Sequence, residues 1–342
     1  MKVLLNHHIP FALSHGGMQV QIEQTQAALE QAGVTVEPMR WWDDAQTGDV
    51  LHHFTRIPKN LLTLAQRKGM KVVMTDLLTE QGSRSRLFLG LQKLVTRGTP
   101  LFLPKVMTAY FGWDSYLLAD ACVALTPWEA HLIKYIFGPP AKNVHIIPNG
   151  VEEVFLESSR VERGKWLVCT ATITERKEVL KLAEAALSAR VPVWVIGKPY
   201  SDADPYFQDF LTLAKGNREM IRYEGAISDR NRLAEIYREA RGFVLLSKWE
   251  SLSLSALEAA ACECPLLLSE LPWARSHFGT TASYCPVNGS LSRTTAYLRN
   301  FYDSAPGLSP PPKPASWAQI GIRLKNLYQQ LIGKGPVKQI HH

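Results

Sequence analysis

Short apolar runs alternate along the chain with longer stretches whose apolar positions recur every three or four residues. Residues 2–5 read as a strand, and 19–31 as a helix stopped by Gly33. Strands are expected at 34–38, 50–54 and 71–75, with a helix at 59–68. Beyond a longer interval, 120–126 returns to strand character, 127–137 to helix and 145–148 to strand, and the turn pair Asn149-Gly150 follows. The pattern then restarts. Strands are expected at 166–170, 193–196, 222–223, 242–246, 265–269 and 283–285, and helices at 177–190, 206–215, 230–240 and 255–262. Alternation of this kind argues for parallel sheets covered by helices. The expected fold class is α/β, with two Rossmann-like doubly wound domains facing a cleft and ligands beyond the carboxyl ends of the strands. Residues 307–314 are Pro-rich and read as a linker, and 316–331 as one amphipathic helix.

Composition narrows the partners. The 342 residues suit two domains, and 46% hydrophobic with 20% charged residues excludes a disordered chain. The net charge of +7 favours anionic partners. Its basic residues are scattered rather than clustered, which argues against nucleic acid. Five cysteines, an odd number set in apolar runs, read as free thiols in a reducing compartment. Cys262 and Cys264 lack a matching Cys or His pair, so no metal site is expected. The N-terminus is too polar for a signal peptide, and no apolar run reaches about 18 residues, so a cytoplasmic place is expected. Residues 84–118 stand apart as apolar and basic helical stretches around Pro100 and Pro104. They read as helices packed on the first sheet, with contact to a lipid surface at an inner membrane face kept as the alternative.

The segment from Leu245 to Ala259 carries most of the chemistry. A buried strand ends at Leu246, a polar loop follows, and a helix begins near Ser255. A helix entered from a strand end presents unpaired N–H groups and a positive dipole end, which suits a diphosphate. Glu258 can accept hydrogen bonds from ribose hydroxyls, and Glu250 can touch a sugar. Ser255-Ala256-Leu257-Glu258 also fits a capping box, in which the same glutamate only closes its own helix. The residues alone leave both readings open.

Glu250 and Glu258, with seven residues between them, within Trp-Glu-Ser and Ser-Ala-Leu-Glu-Ala, resemble the E-x7-E signature of the retaining glycosyltransferases of family 4. Gly16-Gly17 is similar to that family's glycine loop, and Ala119–Glu129 to its strand and helix before the hinge. Ile147-Pro148-Asn149-Gly150-Val151 resembles the hinge, and 316–331 the closing helix. The resemblance implies the GT-B architecture, with an acceptor-side domain at 1–155, a donor domain at 156–312, and a helix at 313–334 crossing back to the first domain. It implies retention at the anomeric carbon, no cofactor and no required metal, with a nucleotide-diphosphate sugar as co-substrate. By resemblance, Glu258 holds the donor ribose and Glu250 faces the transferred sugar. Gly17, Gly197, Ser251, Leu252, Ser253 and Leu254 complete the donor site. Lys177 resembles the family lysine that clamps the diphosphate. Thr172 stands where the partner arginine is common, and Arg176 sits directly before the lysine, so Lys177 is the firmer carry-over and a solvated surface cation is the alternative for Arg176.

Asp76 and Glu80, after the strand at 71–75, are the expected acceptor contacts, with His52 and His53 kept as alternatives although a lone histidine in a strand is more often structural. Histidine is common in the family where Thr75-Asp76 stands here, so no general base is named, and a phosphate oxygen of the donor is left to take the acceptor proton. The expected activity is retaining transfer of a hexose to a glycan, lipid-linked or small-molecule acceptor. An impaired relative that binds a glycan or protein partner, and a nucleotide-sugar epimerase, are the competing expectations.

Overall fold

The computed structural model describes residues 1–11, 16–102, 111–158 and 161–333. The chain forms two compact units. Unit 1 comprises Met1–Leu13, Met18–Asn149 and Trp317–His342, and unit 2 comprises Ser14–Gly17 and Gly150–Ser316. The expected divisions after 155 and 312 therefore fall a few residues away. The two connecting segments run side by side as a parallel bridge between Val151 and Ser316, and both belong to unit 2.

Unit 1 is built on a six-stranded parallel sheet of order β2-β1-β3-β4-β5-β6. Its strands are β1 (Lys2–His7), β2 (Thr35–Pro38), β3 (Val50–Phe54), β4 (Lys71–Thr75), β5 (Ala121–Ala124) and β6 (Val144–Ile146). Strand β5 is buried throughout, which is why it reads as a continuous apolar run, and β3 is equally buried although it carries His52 and His53. The helices are α1 (Gly17–Gln31), α2 (Lys59–Arg67), α3 (Arg86–Phe102), α4 (Ser115–Leu118) and α5 (Pro127–Leu132), the last continued by a π-helical turn at Ile133–Phe137. Thr126 caps α5 by accepting from the Glu129 N–H, and Pro127 opens it.

Unit 2 repeats the plan with sheet order β12-β11-β10-β7-β8-β9, again all parallel. Its strands are β7 (Leu167–Thr170), β8 (Val193–Ile196), β9 (Ile221–Tyr223), β10 (Gly242–Leu245), β11 (Leu266–Ser269) and β12 (Ser283–Cys285). The helices are α6 (Glu153–Leu156), α7 (Val179–Ala189), α8 (Pro205–Gly216), α9 (Arg230–Glu239), α10 (Leu254–Ala261), α11 (Pro272–Phe278) and α12 (Leu291–Ser304). Ala183, Ala186, Phe210, Leu298 and Phe301 pack over β7, β8 and β10 in one apolar core.

The closing helix α13 (Trp317–Gly333) returns to unit 1. Its buried residues Trp317, Ile320, Gly321, Leu324, Leu327, Tyr328 and Leu331 keep a helical spacing. Gly321 is required there, because a Cβ would lie 2.3 Å from the Ala28 carbonyl oxygen of α1. The Tyr328 hydroxyl shares a 2.7 Å hydrogen bond with His52 Nδ1.

Candidate functional site

Doubly wound sheets bind ligands where the strand order reverses. In unit 2 the chain runs from β7 outward to β9 and returns at β10, so the reversal lies between β7 and β10. Two segments meet beyond these strand ends. A short 3-10 turn at Glu175–Lys177 carries Arg176 and Lys177, and residues 247–253 lead from β10 into α10. The backbone ties them: the Lys248 N–H donates to the Arg176 carbonyl at 2.8 Å, and Arg176 Nη1 donates to the Trp249 carbonyl at 3.0 Å. Lys248 also pairs with Glu175 at 2.8 Å.

Glu250 sits at the centre. Its Oε1 accepts from Arg176 Nη1 at 2.6 Å and from Lys177 Nζ. Burial alone would raise this carboxyl, but Lys177 and Arg176 outweigh it and hold Glu250 below the ordinary carboxylate range. Two cations share one carboxylate, which leaves one positive charge in excess. The hydroxyls of Thr174 and Ser247 are buried here without a hydrogen-bond partner among the described residues, and such groups ordinarily find one.

The helix start differs from the expected one. Ser253, not Ser255, caps α10, its hydroxyl accepting from the Ala256 N–H at 3.3 Å. Glu258 then lies too far along the helix for a capping box. Its Oε1 accepts from Arg230, which also pairs with Glu152 at 2.8 Å and stacks over Phe155 at 4.7 Å. Its Oε2 lies 3.4 Å from the Tyr237 hydroxyl. Burial raises the Glu258 carboxyl, and Arg230 offsets only part of that rise. Ser251, Leu252 and Ser253 are buried, and Leu254 is half-buried.

Gly197 follows β8 with φ 150°, and a Cβ there would fall 1.9 Å from the Ala171 carbonyl oxygen. Only glycine lets the loops after β7 and β8 pack this closely. Gly17 groups with unit 2, where a Cβ would lie 3.8 Å from Leu254 Cδ1.

In unit 1 the order reverses between β1 and β3. His7, His8 and His53 gather there. The Asn6 amide meets His53 Nδ1 at 2.9 Å, the His8 ring lies 5.1 Å from His53, and Trp41 stacks on His8 at 5.9 Å. Burial, with His8 and His7 adding, pushes His53 down to about 3, so its ring is neutral. Thr55, just past β3, has φ 84°, a strained value for a β-branched residue. His52 is enclosed between Tyr328 and Thr75 Oγ1, the latter at 2.8 Å, and burial pushes it down to about 3.

The expected acceptor residues lie apart in character. Asp76 accepts from Tyr116 and from Arg56 Nη2 at 3.2 Å, with Arg56 over the Tyr116 ring at 5.3 Å. Glu80 faces solvent and lies 3.9 Å from Arg84. Sequence reading missed Arg230, Tyr237, Thr174 and Ser247, and it took His53 as a lone strand histidine without the company of His7 and His8. Arg230 opens α9 right after the capping Asp229, which is the one local signal it offered. All five cysteines are buried free thiols. Burial pushes Cys122, Cys169, Cys262 and Cys264 up to about 12, which leaves these thiols inert.

Residues 152–288, within unit 2, match the family model described as Glycosyl transferases group 1. The chain is 32% identical over 196 residues to D-inositol 3-phosphate glycosyltransferase of Nocardiopsis dassonvillei, covering 51% of this chain and 44% of that protein. It is 24% identical over 206 residues to mannosylfructose-phosphate synthase of Agrobacterium fabrum, covering 54% of this chain and 41% of that one. The chain thus spans less than half the length of these curated relatives. Among solved structures, sucrose-phosphate synthase from Thermosynechococcus elongatus superposes with a TM-score of 0.67 at 16% identity, over 98% of this chain and 99% of that one. HepE of Anabaena, solved in complex with UDP, gives 0.65 at 12% identity, over 96% and 100%. These likenesses show the fold, and the two Rossmann-like domains are those of GT-B proteins.

Proposed function

We propose that the chain is a retaining glycosyltransferase of family 4 type, moving a hexose from a nucleotide-diphosphate sugar to a glycan, lipid-linked or small-molecule acceptor. The observation that carries this reading is the convergence of Lys177 and Arg176 on Glu250 at the strand-order reversal of unit 2, beside the start of α10. A diphosphate reaching these cations competes with Glu250 for their N–H donors and takes up the excess positive charge. The orphan hydroxyls of Thr174 and Ser247 lie in the segments that would frame it.

In this reading the bond between the anomeric carbon and the diphosphate oxygen breaks while the acceptor oxygen bonds to the same face of that carbon. Charge grows on the leaving phosphate, where Lys177 and Arg176 stabilise it. The acceptor proton passes to a phosphate oxygen. That route suits a chain whose buried His52 is enclosed by Tyr328 and Thr75. Glu258 receives ribose hydroxyls on lone pairs left over from Arg230 and Tyr237. The neutral, aromatic end of β1 and β3 is the better acceptor surface than Asp76, whose carboxylate is already taken by Arg56 and Tyr116.

The first test is a thermal-shift screen against UDP, GDP, ADP and CDP and their sugar conjugates. One nucleotide is expected to raise the melting temperature selectively, because a ligand that binds only the folded state stabilises it. No shift with any of them at millimolar concentration would sink the donor-site assignment.

A further inference from the structure

The turn after β2 displays two adjacent indoles to water. Trp41 is 50% exposed and Trp42 81%, although tryptophan is highly buried on average. The turn that carries them is fastened. Arg40 donates Nε to Asp43 Oδ2 at 2.9 Å and Nη1 to Glu37 Oε2 at 3.0 Å. The Gln46 side chain accepts from the Arg40 N–H at 2.8 Å and donates to the Pro38 carbonyl at 3.1 Å. Glu37 pairs with Lys2 of β1 at 2.7 Å, and the Met39 N–H donates to the Leu5 carbonyl at 2.8 Å. The rings are thus held in place before any ligand arrives, which lowers the ordering cost of binding.

Trp41 stacks on His8, just past the end of β1, with ring centroids 5.9 Å apart and planes 25° from parallel. This is the strand-order reversal of unit 1, where sheets of this kind take ligands. His8 meets His53 edge-on at 5.1 Å, and the Asn6 amide fixes His53 at 2.9 Å. His8 is exposed, whereas Asn6 and His53 are buried and act as its support. The surroundings select the occupant. Residues 37–49 hold four acidic side chains and one arginine, which disfavours a phosphate and equally a second copy of the same turn. A stable protein interface needs about 800 Å² per partner, more than two rings on a polar turn supply. A cation finds indole faces here, but Glu37 and Asp43 are engaged by Arg40, and Asp49 by the Lys2 N–H at 2.7 Å. A neutral pyranose suits every part. Its C–H face covers an indole, and its hydroxyls donate to the exposed Asp44 carboxylate and bond the His8 imidazole.

We propose that Trp41 and His8, with Trp42 as a second ring on the same turn, form a platform for a neutral saccharide. The acceptor is then a glycan rather than a phosphorylated small molecule or a lipid-linked phosphate. The inference rests on the transferase reading for the role of acceptor, and on the turn alone for the saccharide.

The test is surface plasmon resonance of the full chain over immobilised trisaccharides of glucose, of galactose and of mannose. The same sugars with a terminal phosphate, and an oligolysine peptide, serve as the charged probes. At least one neutral trisaccharide is expected to retain the chain, about fivefold better than its phosphorylated form. Trp41→Ala should weaken that retention by about tenfold, Trp42→Ala by about threefold, and Trp41→Phe by less than either. Both indoles are exposed, so the melting temperature and any nucleotide-induced shift should match the parent, which separates lost binding from lost folding. Retention by none of the neutral probes overturns the proposal, and so does a Trp41→Ala chain that binds them as the parent does. Preference for the phosphorylated probes overturns it in favour of a phosphorylated acceptor. Retention on oligolysine that Trp41→Ala abolishes, without saccharide binding, overturns it in favour of a basic peptide. The donor assignment falls on the nucleotide screen and this platform on the saccharides, so the two fail separately.

Discussion

At the strand-order reversal of unit 2, two cations close on Glu250 and a third, Arg230, closes on Glu258. At the corresponding place in unit 1, His53 is held neutral among Asn6, His8 and Thr55, and Trp41 is half exposed beside them. The same sheet logic therefore ends in opposite chemistry. The unit 2 end holds ionised groups whose fields are fixed by mutual pairing, as an anion with developing charge requires. The unit 1 end offers neutral nitrogen, amide and aromatic surface, which suits a neutral sugar better than a phosphate. The lesson is one of division: paired fixed charges stand at one sheet end, and a neutral histidine among amide and aromatic groups stands at the other.

The sharpest way to break this comparison is Lys177→Ala. Removing a fixed donor from a leaving group lowers turnover by about 100- to 1,000-fold. Arg176 still pairs with Glu250 in the variant, so the fold is expected to melt within a few degrees of the parent. Steady-state kinetics with the donor found by the nucleotide screen, beside calorimetry, checks both halves. Turnover within threefold of the parent would remove Lys177 from the chemistry and leave unit 2 with a structural ion cluster only.

Arg230→Ala is expected to have the next largest effect. It leaves Glu258 buried without its cation, and breaking a buried pair in this way is costly. Arg230 is about one-third exposed, so solvent screening reduces the loss to about 2 kcal/mol. Adding Glu258→Gln should restore most of that stability, since the uncompensated charge is gone, while nucleotide binding stays weak. A double variant that recovers both stability and nucleotide affinity would show that Glu258 serves the fold alone.

This pair also shows where the sequence was legible. Glu250, Glu258 and Lys177 stand at fixed offsets from strand ends, and the alternation of apolar runs places every strand of both sheets. Arg230 joins Glu258 from 28 residues away, and no local pattern announces such a pairing. The capping box looked sound because Ser255 and Glu258 have the right spacing, yet Ser253 takes the cap. Helix α12 escaped notice because its buried stripe is Thr294, Leu298 and Phe301, and the polar Thr294 shortens the apolar period. The histidines of unit 1 come from two strands, so their meeting is a product of register rather than of motif: Asn6 pairs with His53 in the β1–β3 ladder.

The last prediction concerns the neutral end. His52 and His53 are each pushed down to about 3 from an ordinary value of about 6.5. Their folded values are depressed, so below pH 6.5 the unfolded chain takes up protons that the folded chain refuses. The stability of unit 1 is thus fully present above about pH 6.5 and falls as the solution is acidified toward pH 3, by about 2 kcal/mol per histidine between pH 7 and 5. Glu250, whose folded value is depressed by its cations, adds to the loss only below the ordinary carboxylate range, whereas Glu258, raised by burial, takes up its proton above that range and opposes the loss, so a variant comparison rather than the window alone isolates a histidine. Denaturant unfolding of His52→Gln at pH 7 and pH 5 checks the assignment. Glutamine can still meet the Tyr328 and Thr75 hydroxyls, so the variant should fold and show a pH dependence shallower by about one proton. An unchanged slope would mean that His52 is protonated in the folded chain. Tyr328 and Thr75 would then have to accommodate an imidazolium, and the contrast between a charged unit 2 and a neutral unit 1 would fail at its best-buried residue.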